Sequence, residues 1–198
     1  MSQDRLPEHP IDPLFTRRWS PRAFTGEVIP EATLFSLFEA ARWAPSSYNS
    51  QPWRFIYGRA GTPGWQPIFE SLAEFNRGWA QRASALVLVL SKTRWVQPGK
   101  TEAEALLSHS FDSGAAWASL AFQATLSGWH AHGIGGFDRE RARNALSIPA
   151  DHAIEAVIAI GRQGDKAVLS EALQAREAPN QRLPLSQLVA DGRFGFSD

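Results

Sequence analysis

The chain of 198 residues contains no cysteine and a single methionine. Without cysteine there are no disulfides, no thiolate nucleophile, no cysteine-ligated iron–sulfur cluster and no thiolate zinc site. Net charge is also lacking, since twenty Lys and Arg balance twenty Asp and Glu. A neutral chain does not wrap nucleic acid or hold acidic membranes through bulk charge, so neither partner is expected. No apolar run reaches the roughly 18 residues that a membrane span needs. The stretch Met1 to Pro10 is polar and interrupted by proline, unlike a signal peptide, and a cytoplasmic location is the expectation. No repeat or low-complexity block breaks the chain, and its length suits one domain, residues 1–198, with a C-terminal tail over about 179–198.

What the chain does have is aromatic and periodic. Eight tryptophans fill a core or line a flat aromatic pocket. Leu34, Leu37, Phe38 and Ala41 follow helical spacing and predict a helix from Glu31 to Ala44, opened by Pro30 and stopped by Pro45. Trp53 to Tyr57 reads as a strand, Gly61 to Gly64 as a turn and Pro67 to Phe75 as a short helix. The run Ala85 to Leu90, ALVLVL, predicts a strand buried on both faces. Glu102 to Trp129 reads as one long helix, apolar around most of its girth, which calls for burial on most sides and suggests a second subunit. Gly133 to Phe137 is a glycine-rich connection, Asp138 an N-cap for a helix ending near Leu146, and Ile154 to Ile160 a second buried strand. Pro179 to Val189 reads as an irregular, extended tail. The class is α+β: a mixed sheet flanked by helices, with one long central helix.

Three polar clusters carry candidate chemistry. In Ala44 to Trp53, APSSYNSQPW, the side chains of Ser46, Ser47, Asn49 and Gln51 can read the hydrogen-bonding edge of a heterocycle, or simply form a polar helix-to-strand turn. In RRWSPRAF, Arg17, Arg18, Ser20 and Arg22 suit a phosphate, or a solvated basic turn; Arg182 lies far off in sequence. Gly133-Ile134-Gly135-Gly136 lets backbone approach a ligand or makes a tight turn, and it is no dinucleotide fingerprint. His130 and His132 would share a face on a strand, yet no third ligand is placed, and no metal is expected. Ser46 and Ser47 lack the nucleophile elbow of a hydrolase. Asp112, inside the long apolar helix, reads as a satisfied buried carboxylate or a helix-end partner.

Taken in order, these blocks resemble the nitroreductase family. Arg18 to Phe24, RWSPRAF, is similar to its R-x-S-x-R/K-x-F, and Ala41 to Phe55 resembles its A-P-S-x-x-N-x-Q-P-W signature. Ser108 to Asp138 is similar to its central helix running into G-F-D, Leu146 to Gly161 to its L-x-I-P and buried strand, and Arg182 to Leu188 to its R-x-P-L. The resemblance implies an intertwined homodimer whose tails cross onto the partner, binding FMN and using NADH or NADPH as hydride donor. It assigns Arg18, Ser20 and Arg182 to the phosphate, with Trp19 beside them, and Arg22 to the pyrimidine side of the ring. It brings Pro45, Ser46, Ser47, Asn49 and Gln51 to the flavin from the other subunit, and sets Asn76 near the ring. It also aims the Gly135 N–H at N5, with Gly136 beside it. It implies no catalytic side chain, because flavin N5 carries the chemistry, with nitroaromatics and quinones as acceptors in ping-pong turnover. Two positions depart from many relatives by losing a basic residue, Trp79 and Asn180. The alternatives are a non-enzymatic FMN-binding or storage protein, and a specialised flavin dehydrogenase or reductive dehalogenase of the same fold.

Overall fold

The computed structural model describes residues 5–196. Its frame is a four-stranded sheet in the order β1 (Trp53–Arg59), β2 (Ala85–Lys92), β6 (His152–Gly161) and β5 (His130–Ile134). All its ladders are antiparallel, so the expected mixed character does not arise within the described residues. The α+β class and the flanking helices are as expected.

β2 is buried along almost its whole length. Because side chains alternate across a strand, the run divides between two cores. Leu86, Leu88 and Leu90 face Trp65, Ile68, Leu72 and Trp79, from α3 (Trp65–Ser71), α4 (Glu74–Ala80) and the link between them. Val87 and Val89 face Leu34 and Leu37 of α2 (Glu31–Arg42) and Ala116 and Leu120 of α5 (His109–Leu126). A strand between two helical layers must be apolar on both sides, which is why ALVLVL shows no polar alternation. β6 makes the same division, with Ala159 on one face and Ile158 and Ile160 on the other.

α5 is shorter than the expected Glu102–Trp129 helix. Its start is displaced by a small hairpin, β3 (Arg94–Trp95) against β4 (Glu104–Ala105), which claims the backbone of residues 104 and 105. At its other end Gly128 takes φ +74°, its N–H bonds the Thr125 carbonyl (3.2 Å), and the Trp129 N–H bonds the Ala124 carbonyl (2.8 Å). This Schellman arrangement closes the helix and sends buried Trp129 into the core before β5 begins.

The helix expected over Pro67 to Phe75 is two helices, α3 and α4. Leu72 turns extended between them, bridges Phe137, and the Ala73 N–H bonds the Gly136 carbonyl at 3.1 Å. The glycine-rich connection is also shorter than Gly133 to Phe137, because Gly133 and Ile134 belong to β5. Its Gly133 packs on the Trp117 ring of α5. Asp138 caps α6 (Arg139–Ala145) through a 2.9 Å bond from the Arg141 N–H. After β6 come α7 (Glu171–Gln174) and an irregular tail with a single 3₁₀ turn at Leu185–Gln187.

Gly58 of β1 lies against the turn before α3. A methyl group there would stand 2.3 Å from the carbonyl of Gly64 and from the amide nitrogen of Trp65, all backbone atoms. Gly58→Ala is therefore expected to destabilise the chain by about 1–3 kcal/mol or more. Urea unfolding checks this, and an unchanged midpoint would contradict the packing described for that turn.

Candidate anion and cofactor site

α1 (Pro13–Arg17) begins at Asp12, whose carboxylate accepts the Leu14 N–H at 2.7 Å, and Phe15 packs edge-on against Phe122 of α5 at 4.9 Å. This contact sets the direction of the extended segment that follows. Arg18 then reaches Ser20, with Nη1 donating to Oγ at 3.3 Å. Arg5, ahead of α1, donates through Nη1 to the carbonyls of Thr16 (2.7 Å) and Arg18 (2.9 Å).

Arg18, Trp19, Ser20, Arg22 and Arg182 line one cavity of about 380 Å³. Residue spacing alone gave no reason for Arg182 to meet residues some 160 positions earlier, which only the family resemblance implied, and the tail brings it there. Asn180 lines the same cavity, so that loss of a basic residue falls inside it. Arg18 and Ser20 also border a neighbouring cavity of about 340 Å³ against Trp117, Ala118, Ala121 and Phe122 of α5 and Gly133 of β5.

Two further residues of the 380 Å³ cavity, Arg5 and Arg176, carried no signal in the sequence, and His132, which also lines it, was marked only by its spacing from His130. Glu177 is likewise new. Its Oε1 accepts the N–H groups of Arg22 (2.6 Å) and Ala23 (2.8 Å), and its Oε2 lies 3.9 Å from Arg22 Nη1. That carboxylate is 2% exposed and fixes the strand leaving Arg22. Residues 22 and 177 lie so far apart in sequence that no local pattern marks the pair.

The electrostatics are those of crowded cations. Burial, then Arg182 and then Arg5, hold the Arg18 guanidinium below its ordinary pKa. Arg5 is lowered by burial and by Arg182. Beside them His132 is lowered mainly by burial, and its Nδ1 donates to the Pro21 carbonyl at 2.9 Å. His130 is lowered by burial and by Arg18. The two histidines do lie on one strand, β5; among the described residues no group of three or more potential ligands is placed to hold a metal.

A chain of contacts runs from this cavity to the glycine connection. The His132 ring lies 4.7 Å from that of Trp79, the Trp79 Nε1–H donates to Asn76 Oδ1 at 3.2 Å, and Asn76 Nδ2 donates to the Gly136 carbonyl at 2.9 Å. Asn76 and Gly136 are thus joined, and a methyl at Gly136 would strike the Asn76 amide at 2.7 Å. Gly135 has open space where a side chain would be. Trp79 is a core residue, 2% exposed, so at this position the basic group is replaced by packing.

The Pro45–Gln51 loop stands elsewhere. Its backbone is strained: Tyr48, Asn49 and Gln51 take φ of 50°, 54° and 46°. It is held by Ser46 Oγ, which accepts the Gln51 N–H at 3.1 Å, and by Gln51 Nε2, which donates to the Asn49 carbonyl at 3.2 Å. Asp112, 3% exposed, accepts the Ser47 N–H at 3.1 Å and the Ser108 hydroxyl at 2.8 Å, so it is the satisfied buried carboxylate that its position suggested. Asp112 and Ala121 are separated by about 13 Å of helix at 1.5 Å per residue. None of Pro45, Ser46, Ser47, Asn49 or Gln51 lines the cavities that contain Arg18. The structure therefore unites Arg18, Trp19, Ser20, Arg22 and Arg182, joins Asn76 to Gly136, and leaves the serine-rich loop apart.

Comparison with known proteins bears on this arrangement. Residues 15–61 match the model of the nitroreductase family. A crystal structure of an oxidoreductase containing FMN is 43% identical, covers 100% of both chains and superposes with a TM-score of 0.94. An uncharacterised 15.4 kDa protein of Mycolicibacterium smegmatis is 37% identical over 72% of this chain and 97% of its own. The NADH dehydrogenase of Thermus thermophilus is 27% identical over 87% of this chain and 91% of its own. The chain belongs to the nitroreductase family.

Proposed function

We propose that the protein is an FMN-dependent oxidoreductase working as a homodimer. The observation that carries this is the convergence of Arg18, Ser20 and Arg182 from distant parts of the chain on one cationic cavity. A planar guanidinium fork and a hydroxyl suit a phosphate monoester. Open space at Gly135, with Gly136 fixed by Asn76, leaves room for a flat ring to meet backbone. The residues present fit FMN, and the FMN-containing relative supports it.

When bound, FMN supplies the redox chemistry, with hydride taken up at N5 from NADH or NADPH and passed to a nitroaromatic or quinone in ping-pong turnover. The chain's own residues bind and orient. Arg18, Ser20 and Arg182 hold the phosphate. Arg22, kept in place by Glu177, puts a cation at the pyrimidine side of the ring. Asn76 fixes the Gly136 carbonyl and thereby the course of backbone through Gly135. Buried Trp79 and Phe24 pack behind His132, which lines the cavity, and back that wall with apolar rings.

Two observations support a site shared by two subunits. The polar loop at the start of α5 lies outside the cavities of its own chain's Arg18. Large apolar side chains also stand exposed: Leu107 (93%) just ahead of α5, Phe111 (82%) and Leu126 (61%) on it, and Leu183, Leu188 and Val189 on the tail. Such a surface suits an obligate apolar interface larger than roughly 2,000 Å².

Bound flavin should bleach under NADH or NADPH without oxygen and recover its colour with a quinone or nitroaromatic. A tightly held flavin that stays oxidised with both nicotinamides would point to a storage protein instead. The shared site is checked with two inactive variants, Arg18→Glu and Asn49→Trp, co-expressed with different tags. Two-fold symmetry gives the mixed dimer one site with both lesions and one with neither, so it should hold about half the wild-type FMN. A folded mixed dimer without flavin would contradict the shared site.

A further inference from the structure

Arg5, Arg18, Arg22, Arg176 and Arg182 all line the cavity of about 380 Å³. Among the described residues the only ion pair made by these five joins Arg22 to Glu177. Four guanidinium groups therefore face the cavity without a carboxylate partner, while a phosphate monoester brings a charge of about −1.5 to −2. The cation furthest from any recognisable motif is Arg5, and it is also the most firmly tethered. Both bonds of its clamp use Nη1, to the carbonyls of Thr16 and of Arg18 itself. The remaining N–H groups of the fork, on Nε and Nη2, are not used by that clamp.

Arg5 also stands where the two ends of the chain meet. It lines, with Arg18 and Arg182, a second cavity of about 430 Å³ between the N-terminal segment and the tail. There the Glu8 carboxylate accepts the Leu185 N–H at 3.0 Å, tying one segment to the other. Three like charges have thus been brought together by contacts of the backbone. Burial and then Arg182 hold both Arg5 and Arg18 below their ordinary pKa, and an anion among them would relieve the repulsion.

We infer that Arg5 binds the phosphate of the flavin together with Arg18, Ser20 and Arg182, and that it sets the preference for the phosphorylated flavin over riboflavin. The inference rests on the FMN reading above and extends it to a residue outside every family motif in the sequence. Its clamp makes the effect directional: the phosphate holds Arg5, Arg5 holds the Arg18 carbonyl, and the segment ahead of α1 becomes part of the cofactor site. A charge-assisted hydrogen bond lost from a partly buried anion costs roughly ten- to a hundredfold in affinity.

The test titrates FMN and riboflavin into the apoprotein of the full chain, wild type, Arg5→Ala and Arg5→Lys, by flavin fluorescence. The wild type should bind FMN more tightly than riboflavin. Arg5→Ala should weaken FMN roughly ten- to a hundredfold and leave riboflavin unchanged, which also shows that the variant is folded. Arg5→Lys should recover part of the loss, since it keeps the charge without the fork. An equal loss for both flavins would mean that Arg5 only props the segment, and equal wild-type affinity for the two flavins, or no effect on FMN, would likewise overturn the inference. A wild-type chain that binds neither flavin would remove the FMN reading. Inorganic phosphate then decides on Arg5 by itself: a thermal shift in the wild type that disappears in Arg5→Ala supports its role as an anion ligand, and an equal shift, or none in either protein, overturns it.

Discussion

Everything in this fold is placed relative to one strand that has no polar face. β2 runs through the sheet with Leu86, Leu88 and Leu90 on one side and Val87 and Val89 on the other, all buried. Burying either face alone would leave two or three large aliphatic side chains in water, at about 1.5–3 kcal/mol each. Both helical layers follow from that cost. One consists of α3, α4 and α6, the other of α2 and α5. α5 then becomes the rule along which the candidate site is laid out. Asp112 near its start holds the serine-rich loop, and Trp117 to Phe122 further along back the segment of Arg18 and Ser20.

The site itself is arranged by charge. Of its arginines only Arg22 has a counter-ion among the described residues, and Glu177 gives that ion pair a structural duty by also taking two backbone N–H groups. The other guanidinium groups crowd one another, with Arg18 and Arg5 both held below their ordinary pKa. Burial holds His132 below its ordinary pKa beside them, against the opposing pull of its bond to the Pro21 carbonyl, so the cationic character belongs to the arginines. An anion bound among them would relieve that crowding, and ligand bound to the folded state alone adds its binding free energy to stability.

How much of this could be read from the sequence depended on distance along the chain. Helix α2 was legible from Leu34, Leu37 and Ala41, the Asp138 cap from its position before α6, and β2 from an uninterrupted apolar run. These are local signals. The start of α5 was misplaced because Ala103 to Leu107 continue its apolar character, while pairing of Arg94–Trp95 with Glu104–Ala105 decides their conformation. The break between α3 and α4 depends on Leu72 meeting Phe137, a long-range contact. The same limit applies at the site. Motif order singled out Arg18, Ser20, Arg22 and Arg182, which do come together. Nothing in the order or spacing of residues marked Arg5, Arg176 or Glu177, because their contribution comes from tertiary approach alone.

The most direct measurement is a crystal structure of the protein grown with FMN. The account predicts electron density for the phosphate within hydrogen-bonding distance of Arg18, Ser20 and Arg182 of one subunit. The flavin ring should lie along Gly135 and Gly136 of that subunit, with Ser46, Ser47 and Asn49 approaching from the other. FMN bound away from the arginine cavity, or a ring enclosed by a single chain, would contradict it.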